Sequence, residues 1–224
     1  MLSDITSLHS SLKQSGTRGI ALDIDETLSH TVLYWFSRMQ TLFGNPEDLS
    51  VEDMIRKYRY SYHVPYWQTP EVDEWIAVQL HSNQVQEELP VIKGATEGVN
   101  KINETIPVVA YLTARPDSVQ DGTRTWLTMH GFPEVPLITR PPYVVPQQGN
   151  TWKAAVLSHI QDHVVGIIDD NPGLVEKLDE AYTGTVFLYD YSDTVNSSAE
   201  VISCKNWDAV VDAVISKYSG SGKT

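Results

Sequence analysis

Four short apolar runs recur along the chain, separated by segments with helical periodicity. Each run is rich in Ile and Val and too short for a helix, which predicts strands buried on both faces of a parallel sheet. The runs cover residues 18–23, 107–113, 164–169 and 184–189, with a weaker candidate at 135–139, where Pro136 indicates an edge strand. Helices are predicted at 95–106, 118–130, 151–161, 173–181 and 207–218. The alternation predicts an α/β fold with a doubly wound, mainly parallel Rossmann-like sheet.

The first interval between strands breaks this rhythm. About 80 residues separate the first predicted strand from the second, far more than one crossover helix requires. We therefore predict a small helical cap at 29–93, inserted between the first and second core strands, with a core formed by 1–28 and 94–224. Ten of the chain's Phe, Trp and Tyr residues lie in this insertion. They form the lobe's own core, or some of them line a substrate cleft, where Tyr66 or Trp67 would stack on a nucleotide base.

Composition excludes several classes of function. The 224 residues carry a net charge of −13, which argues against a nucleic-acid polymer as the main partner. No apolar run is long enough for a membrane span, and the N-terminal stretch lacks the pattern of a signal peptide. Cys204 is the single cysteine, so neither an internal disulfide nor a Cys-based zinc site can form. We expect a cytoplasmic protein with no membrane partner; the oligomeric state stays open.

The C-terminal residues 219–224 end in Gly-Lys-Thr, like the end of a phosphate-binding loop. The full motif requires Gly five positions before Gly222, where this chain has Lys217. We therefore predict a flexible end rather than a nucleotide site.

Polar side chains cluster where the predicted strands end. Asp23 and Asp25 follow the first strand, Thr113 closes the second, and Asp169 and Asp170 close a later one. In an open parallel sheet these carboxyl ends meet at one edge, which is where ligands bind. Carboxylates held close together repel each other unless a cation lies between them, and Mg²⁺ prefers a few carboxylates together with water and phosphate.

A lysine completes the set. Lys153 lies near the start of the helix that follows the third candidate strand. Taken alone it reads as a solvated lysine in a first helical turn, but combined with the acidic groups it could neutralise a bound phosphoryl group.

The order of these residues resembles the haloacid dehalogenase (HAD) superfamily. The Asp23-x-Asp25-x-Thr27 motif, then Thr113, Lys153 and the Asp169-Asp170 pair follow that family's pattern, and the insertion is similar to its cap after the first motif. Position 26 is Glu where many relatives have Gly. The stretch 111–116 resembles both lipin-type phosphatases and nucleotidases and does not choose between them.

The resemblance implies a Mg²⁺-dependent phosphomonoester hydrolase that acts on a small phosphorylated metabolite. Asp23 would be the nucleophile that forms an aspartyl-phosphate, and Asp25 the general acid and base. Thr113, Ala114 and Lys153 would bind the substrate phosphate.

The same resemblance implies the metal ligands. Asp23, the main-chain carbonyl of Asp25 and the acidic pair would hold Mg²⁺, with Asp169 favoured over Asp170 as the direct ligand. Arg115 would contact substrate phosphate or pair with a neighbouring carboxylate, and we favour the second.

Other functions stay open. One is a 5′-nucleotidase-type phosphatase, and another is a catalytically inactive binding protein on the same fold. A phosphorylatable receiver domain uses similar residues, but its acidic pair comes first in the chain, whereas here it comes last.

Overall fold

The apolar runs form one parallel sheet at the centre of the molecule. The computed structural model describes residues 2–195 and 197–219. Within them the strand order is β3-β2-β1-β4-β5-β6, and every neighbouring pair is parallel. The strands are β1 (Gly19–Leu22), β2 (Val108–Pro116), β3 (Leu137–Arg140), β4 (Val164–Asp169), β5 (Thr185–Tyr189) and β6 (Glu200–Cys204). The predicted fold class is confirmed, and β3 lies at an edge as Pro136 indicated.

Helices cover both faces of this sheet. On one face, α6, α7 and α10 pack against Ile20 and Leu22 of β1. On the other, α1, α8 and α9 pack against Ala21, so the alternation of side chains along one strand serves two cores. The described helices are α1 (Leu2–Ser15), α2 (Thr31–Phe43), α3 (Val51–Tyr58), α4 (Pro70–Gln79), α5 (Asn83–Glu87), α6 (Ala95–Asn103), α7 (Gln120–Met129), α8 (Gly149–Ile160), α9 (Pro172–Val175) and α10 (Trp207–Tyr218).

Three elements differ from the sequence-based expectation. Helix α1 was not predicted, because its polar sequence buries only a narrow stripe that includes Leu8 and Leu12, four residues apart. Strand β6 was not predicted either; it is an edge strand that is buried only at its last residue, Cys204. The helix predicted at 173–181 is the single turn α9.

The insertion between β1 and β2 contains α2 to α5 and its own apolar cluster. Trp67 lies in that cluster with an exposed fraction of only 2%, and its indole N–H donates to the carbonyl of Gly44 at 2.9 Å. Tyr66 packs against the same cluster. Stacking of a nucleotide base on Trp67 is therefore wrong as an expectation, because the lobe uses this ring for its own core. The domain boundaries at 28 and 93 stay a prediction.

Two further sequence expectations concern the termini and the membrane. The predicted flexible end falls largely on 220–224, which lie outside the described residues. Among the helices that the structure describes, none has the length and apolar character needed to span a bilayer.

Candidate active site

The residues singled out from the sequence lie along one edge of the sheet, at the carboxyl ends of its central strands. Asp23 continues β1, and its backbone N–H donates to the carbonyl of Ile168 on β4 at 2.9 Å. Asp169 is the last residue of β4. Thr113 lies inside β2, which runs on to Pro116 rather than ending at the threonine as expected. The order of the strands thus places β1 between the two strands that carry the other groups.

Lys153 sits between two of the carboxylates. Its ammonium donates to Oδ1 of Asp23 at 2.6 Å and to Oδ2 of Asp169 at 2.9 Å, and all three side chains are at least 95% buried. Helix α8 carries Lys153 as its fifth residue and presents it to the sheet edge. The lysine is therefore an internal counter-ion rather than a solvated surface group.

Three carboxylates form a group that fits a cation. One oxygen each of Asp23, Asp169 and Asp170 lies within 4.8 Å of the others. Both oxygens of Asp169 have partners, since Oδ1 accepts the backbone N–H of Asn171 at 2.9 Å and Oδ2 accepts Lys153. Among the described residues, Asp170 has no hydrogen bond or ion pair from its side chain. An oxygen-only donor set of this kind matches the preference of a hard divalent ion.

Burial dominates the electrostatics of this group. It raises the pKa of Asp23 to about 7, with Lys153 opposing the rise and Asp169 and Asp25 adding to it. Burial and the charges of Asp169 and Asp23 raise the pKa of Asp170 well above its ordinary value. The two carboxylates outweigh desolvation at Lys153 and raise the pKa of its ammonium. The cluster thus has three carboxyl groups and one lysine, so a bound cation would favour the ionised form of the carboxyl groups that Lys153 does not neutralise.

Asp25 lies beside this group in a different environment. The Nε of Arg115 donates to both of its oxygens at 3.1 Å, Nη2 donates to Oδ1 at 2.8 Å, and the hydroxyl of Thr31 donates to Oδ1 at 2.6 Å. Desolvation raises the pKa of Asp25, but the charge and hydrogen bonds of Arg115, together with Thr31, outweigh it and hold the pKa below its ordinary value. Of the two alternatives for Arg115, the structure shows pairing with a carboxylate.

A tight turn over residues 24–29 orients Asp25. The N–H groups of Leu28 and Ser29 both donate to the carbonyl of Ile24, at 2.8 and 2.9 Å. Glu26 has a φ of 56°, in the left-handed region that favours glycine. Its carboxylate accepts the N–H of Val32 at the start of α2 at 2.6 Å, which links the turn to the insertion. Glu at position 26 therefore adopts a backbone conformation that favours glycine, and its side chain forms a hydrogen bond to the insertion that glycine could not form.

The two remaining predicted residues flank Asp25. The hydroxyl of Thr113 accepts the backbone N–H of Arg115 at 3.2 Å and lies 3.5 Å from Oδ2 of Asp25. The carbonyl of Ala114 accepts the Nε of Arg140 at 2.9 Å. Arg140 was not singled out from the sequence, since it lies at the end of β3 outside any motif.

Two cavities flank the cluster. One, of about 250 Å³, is lined by Asp25, Ala114, Arg115 and Arg140 together with residues of α2, of α5 and of the segment that joins α4 to α5. The other, of about 600 Å³, is lined by Glu26, Asp170 and residues of α3 and of the segment after β5. The site thus opens on two sides beneath the insertion.

Comparison with known proteins gives a match in fold alone. No family model and no curated relative matches this chain. Among solved structures, a protein assigned as a β-phosphoglucomutase from Thermotoga maritima superposes with a TM-score of 0.54 at 15% identity, over 89% of this chain and 99% of that one.

Two further structures are similar to the same extent. A dehalogenase with an intermediate complex gives a TM-score of 0.51 at 12% identity, over 91% of this chain and 97% of that one. A protein assigned as a HAD-like phosphatase from Mesorhizobium loti gives 0.50 at 9% identity, over 93% and 88%. At these identities the likeness establishes the fold, which is that of the HAD-superfamily hydrolases, and the resemblance seen in the sequence is confirmed at that level.

Proposed function

We propose that this protein is a Mg²⁺-dependent phosphomonoester hydrolase that acts through an aspartyl-phosphate on Asp23. The observation that carries the proposal is the contact of one buried lysine, Lys153, with both Asp23 and Asp169. Beside them lies Asp170, whose side chain has no polar partner among the described residues. Phosphoryl transfer requires a nucleophilic carboxylate, a cation beside the transferred group and a set of metal ligands, all at one place in the structure.

The donor set fits a bound Mg²⁺. Asp23, Asp170 and the main-chain carbonyl of Asp25 would hold the ion, and we now favour Asp170 over Asp169 as the direct ligand. Both oxygens of Asp169 are engaged by Lys153 and Asn171, so Asp169 serves better to hold the lysine. When bound, the ion supplies positive charge that offsets the negative charge of the phosphate and the carboxylates.

The protein's own residues divide the remaining work. A carboxylate oxygen of Asp23 forms a bond to phosphorus while the bond from phosphorus to the ester oxygen breaks, and Asp25 gives a proton to that oxygen. Because Arg115 holds the pKa of Asp25 low, the form of Asp25 that gives this proton is its minority, protonated form. Asp25 then takes a proton from the water that attacks the phosphoenzyme, which releases phosphate and restores Asp23. Lys153 neutralises charge on the phosphoryl oxygens, and the Thr113 hydroxyl and the Ala114 backbone bind them.

Phosphatase activity is favoured over dehalogenation by the second carboxylate. Asp25 lies beside Asp23 and provides the acid and base that an alcohol leaving group requires, whereas a halide leaves without a proton. The HAD dehalogenases, as the sequence resemblance implies, lack this residue. The substrate is a small phosphorylated metabolite, and a nucleotide of the 5′-nucleotidase type is the alternative.

The test measures phosphate release from a panel of phosphomonoesters. Wild-type protein is assayed with Mg²⁺ and with EDTA, and the variant Asp23→Asn is assayed with Mg²⁺. Chloride release from 2-chloropropionate is measured in parallel. We expect Mg²⁺-dependent phosphate release that Asp23→Asn abolishes and that the control Asp212→Asn, at an exposed position on α10, retains. Chloride release without phosphate release would support a dehalogenase, and binding without any turnover would support an inactive binding protein.

A further inference from the structure

The cavity of about 250 Å³ is the side of the site on which Asp25 is accessible. Asp25 lines this cavity and does not line the larger one, whose lining includes Glu26 and Asp170 instead. If Asp25 gives its proton to the ester oxygen, as the proposed function requires, the group bonded to that oxygen occupies the smaller cavity. The residues that line this cavity therefore indicate which leaving groups it can bind.

Most of the wall is apolar. Four side chains of the insertion and two of the core contribute carbon surface: Trp35, Leu80, Val85, Leu89, Pro116 and Pro146. The volume lies below the range of about 300–1,000 Å³ that is typical for larger ligands. The apolar wall and the small volume both favour a compact leaving group over a nucleoside.

One buried cation faces this apolar wall. Arg140 lines the cavity and is only 8% exposed. Its Nε donates to the carbonyl of Ala114 at 2.9 Å, and its Nη1 donates to the carbonyl of Val144. These two bonds fix the plane of the guanidinium. A guanidinium has five N–H donors, and within the described part of the chain the others have no hydrogen-bond acceptor.

Arg140 differs from Arg115 in its charged partners. Within residues 2–195 and 197–219 no ion pair includes it, whereas Arg115 on the same wall is paired with Asp25. Burial lowers the pKa of Arg140, and Asp117 opposes that shift only through its charge. A buried charge is costly when no opposite charge lies against it, and an anionic ligand in this cavity would supply that charge.

We propose that Arg140 binds a second anionic group on the substrate, so that the preferred substrates are compact phosphomonoesters whose leaving group carries a carboxylate or a second phosphate. This inference rests on the proposed function, because it assumes that the leaving group lies beside Asp25. The hydrogen bonds to two carbonyl oxygens fix the orientation of the Arg140 guanidinium. A planar guanidinium can donate to two oxygens of a carboxylate or phosphate at once, which a lysine ammonium does less well.

The experiment compares substrates that differ only in the second charge. We would measure kcat/KM for 2-phosphoglycolate against 2-hydroxyethyl phosphate, and for 1,3-propanediol bisphosphate against 3-hydroxypropyl phosphate. The expected preference for the charged member of a pair is about 10- to 100-fold, as for one charge-assisted hydrogen-bonded contact. The two pairs distinguish a carboxylate from a phosphate as the recognised group.

Two variants assign the preference to its residue. Arg140→Met is expected to reduce the ratio within a pair to near one. The control Arg124→Met changes an exposed arginine on α7 and is expected to keep the wild-type ratio. If Arg140→Met does not fold, the wild-type ratio decides by itself: a ratio near one in both pairs overturns the proposal.

A binding measurement separates this inference from the proposed function. Calorimetry of wild-type protein with phosphonoacetate and with ethylphosphonate requires no turnover. Tighter binding of phosphonoacetate that is lost in Arg140→Met supports the anion subsite even if no ester is hydrolysed. Equal binding of the two, alongside normal hydrolysis of neutral esters, overturns the subsite and leaves the phosphatase intact.

Discussion

The guanidinium of Arg115 holds the carboxylate of Asp25 with two nitrogens, at 2.8 to 3.1 Å. The same guanidinium donates to the hydroxyls of Ser29 and Thr123, at 3.0 and 3.2 Å, and is 95% buried. The position of Asp25 is therefore set by a side chain from β2 as well as by its own turn. Arg115 is a positioning residue in the proposed mechanism.

Replacing Arg115 by lysine is expected to lower kcat more than KM. The charge stays, but the two-nitrogen contact with Asp25 is lost, and general acid–base catalysis contributes on the order of 10²- to 10⁴-fold. We expect a drop in kcat of about 10- to 100-fold in steady-state kinetics on an aryl phosphate, a part of that contribution. Arg124→Lys is the matched control, and an unchanged kcat in Arg115→Lys would remove the positioning role.

Asp169 and Asp170 are expected to respond in opposite ways to amide substitution. In EDTA, Asp170→Asn should raise Tm, because it removes a carboxylate whose pKa is raised by burial and by the charges of Asp169 and Asp23. Asp169→Asn should lower Tm, because it takes a partner from Lys153. Added Mg²⁺ should raise the Tm of wild type and have little effect on Asp170→Asn. Identical responses of the two variants would contradict this assignment.

Removal of Lys153 tests the internal counter-ion. Lys153→Met leaves the carboxylates without a cation, which is expected to lower the free energy of unfolding in EDTA by about 3–5 kcal/mol. Mg²⁺ should recover more stability in this variant than in wild type, since the ion then supplies the missing charge. Denaturant titrations with and without Mg²⁺ measure both effects. Lys177→Met, at an exposed position, should behave like wild type.

Trp67 is expected to contribute to stability and not to substrate choice. Trp67→Ala removes a ring that is 98% buried, and such truncations lower the free energy of unfolding by about 3–5 kcal/mol. Tyr62→Ala, at a ring that is 65% exposed, should cost less than about 0.5 kcal/mol. The ratio of KM for a nucleotide to KM for a small aryl phosphate should stay unchanged in both. A selective rise for the nucleotide in Trp67→Ala would restore base stacking.

Cys204 is expected to resist alkylation in the folded protein. The side chain is 1% exposed, and burial raises the pKa of its thiol to about 11, so the reactive thiolate is scarce at pH 8. Iodoacetamide labelling followed by mass spectrometry should show no modification at pH 8 and full modification in denaturant. The labelling rate should increase as the pH is raised toward 11. Rapid labelling of native protein at pH 8 would contradict the burial of this thiol.

The central sheet could be predicted because its strands are buried on both faces and therefore appear as uninterrupted apolar runs. Strand β6 and helix α1 bury little surface, so their sequences carry a weak signal. The motif residues could be placed together because parallel strands end at one edge. Arg140 could not be identified from the sequence, because its proposed role depends on which side chains surround it in the folded protein. The choice between Asp169 and Asp170 as direct metal ligand stays a prediction, and the contact of Lys153 with Asp169 is the observation on which our proposal of Asp170 rests.

The ammonium between Asp23 and Asp169 also bears on how the protein would tolerate metal depletion. Because Lys153 already places a positive charge between these two carboxylates, we expect the protein to fold without Mg²⁺. Under the proposed function, loss of Mg²⁺ should therefore stop turnover without unfolding the protein. Protein stripped by a chelator should regain turnover as soon as the cation returns, with no refolding lag.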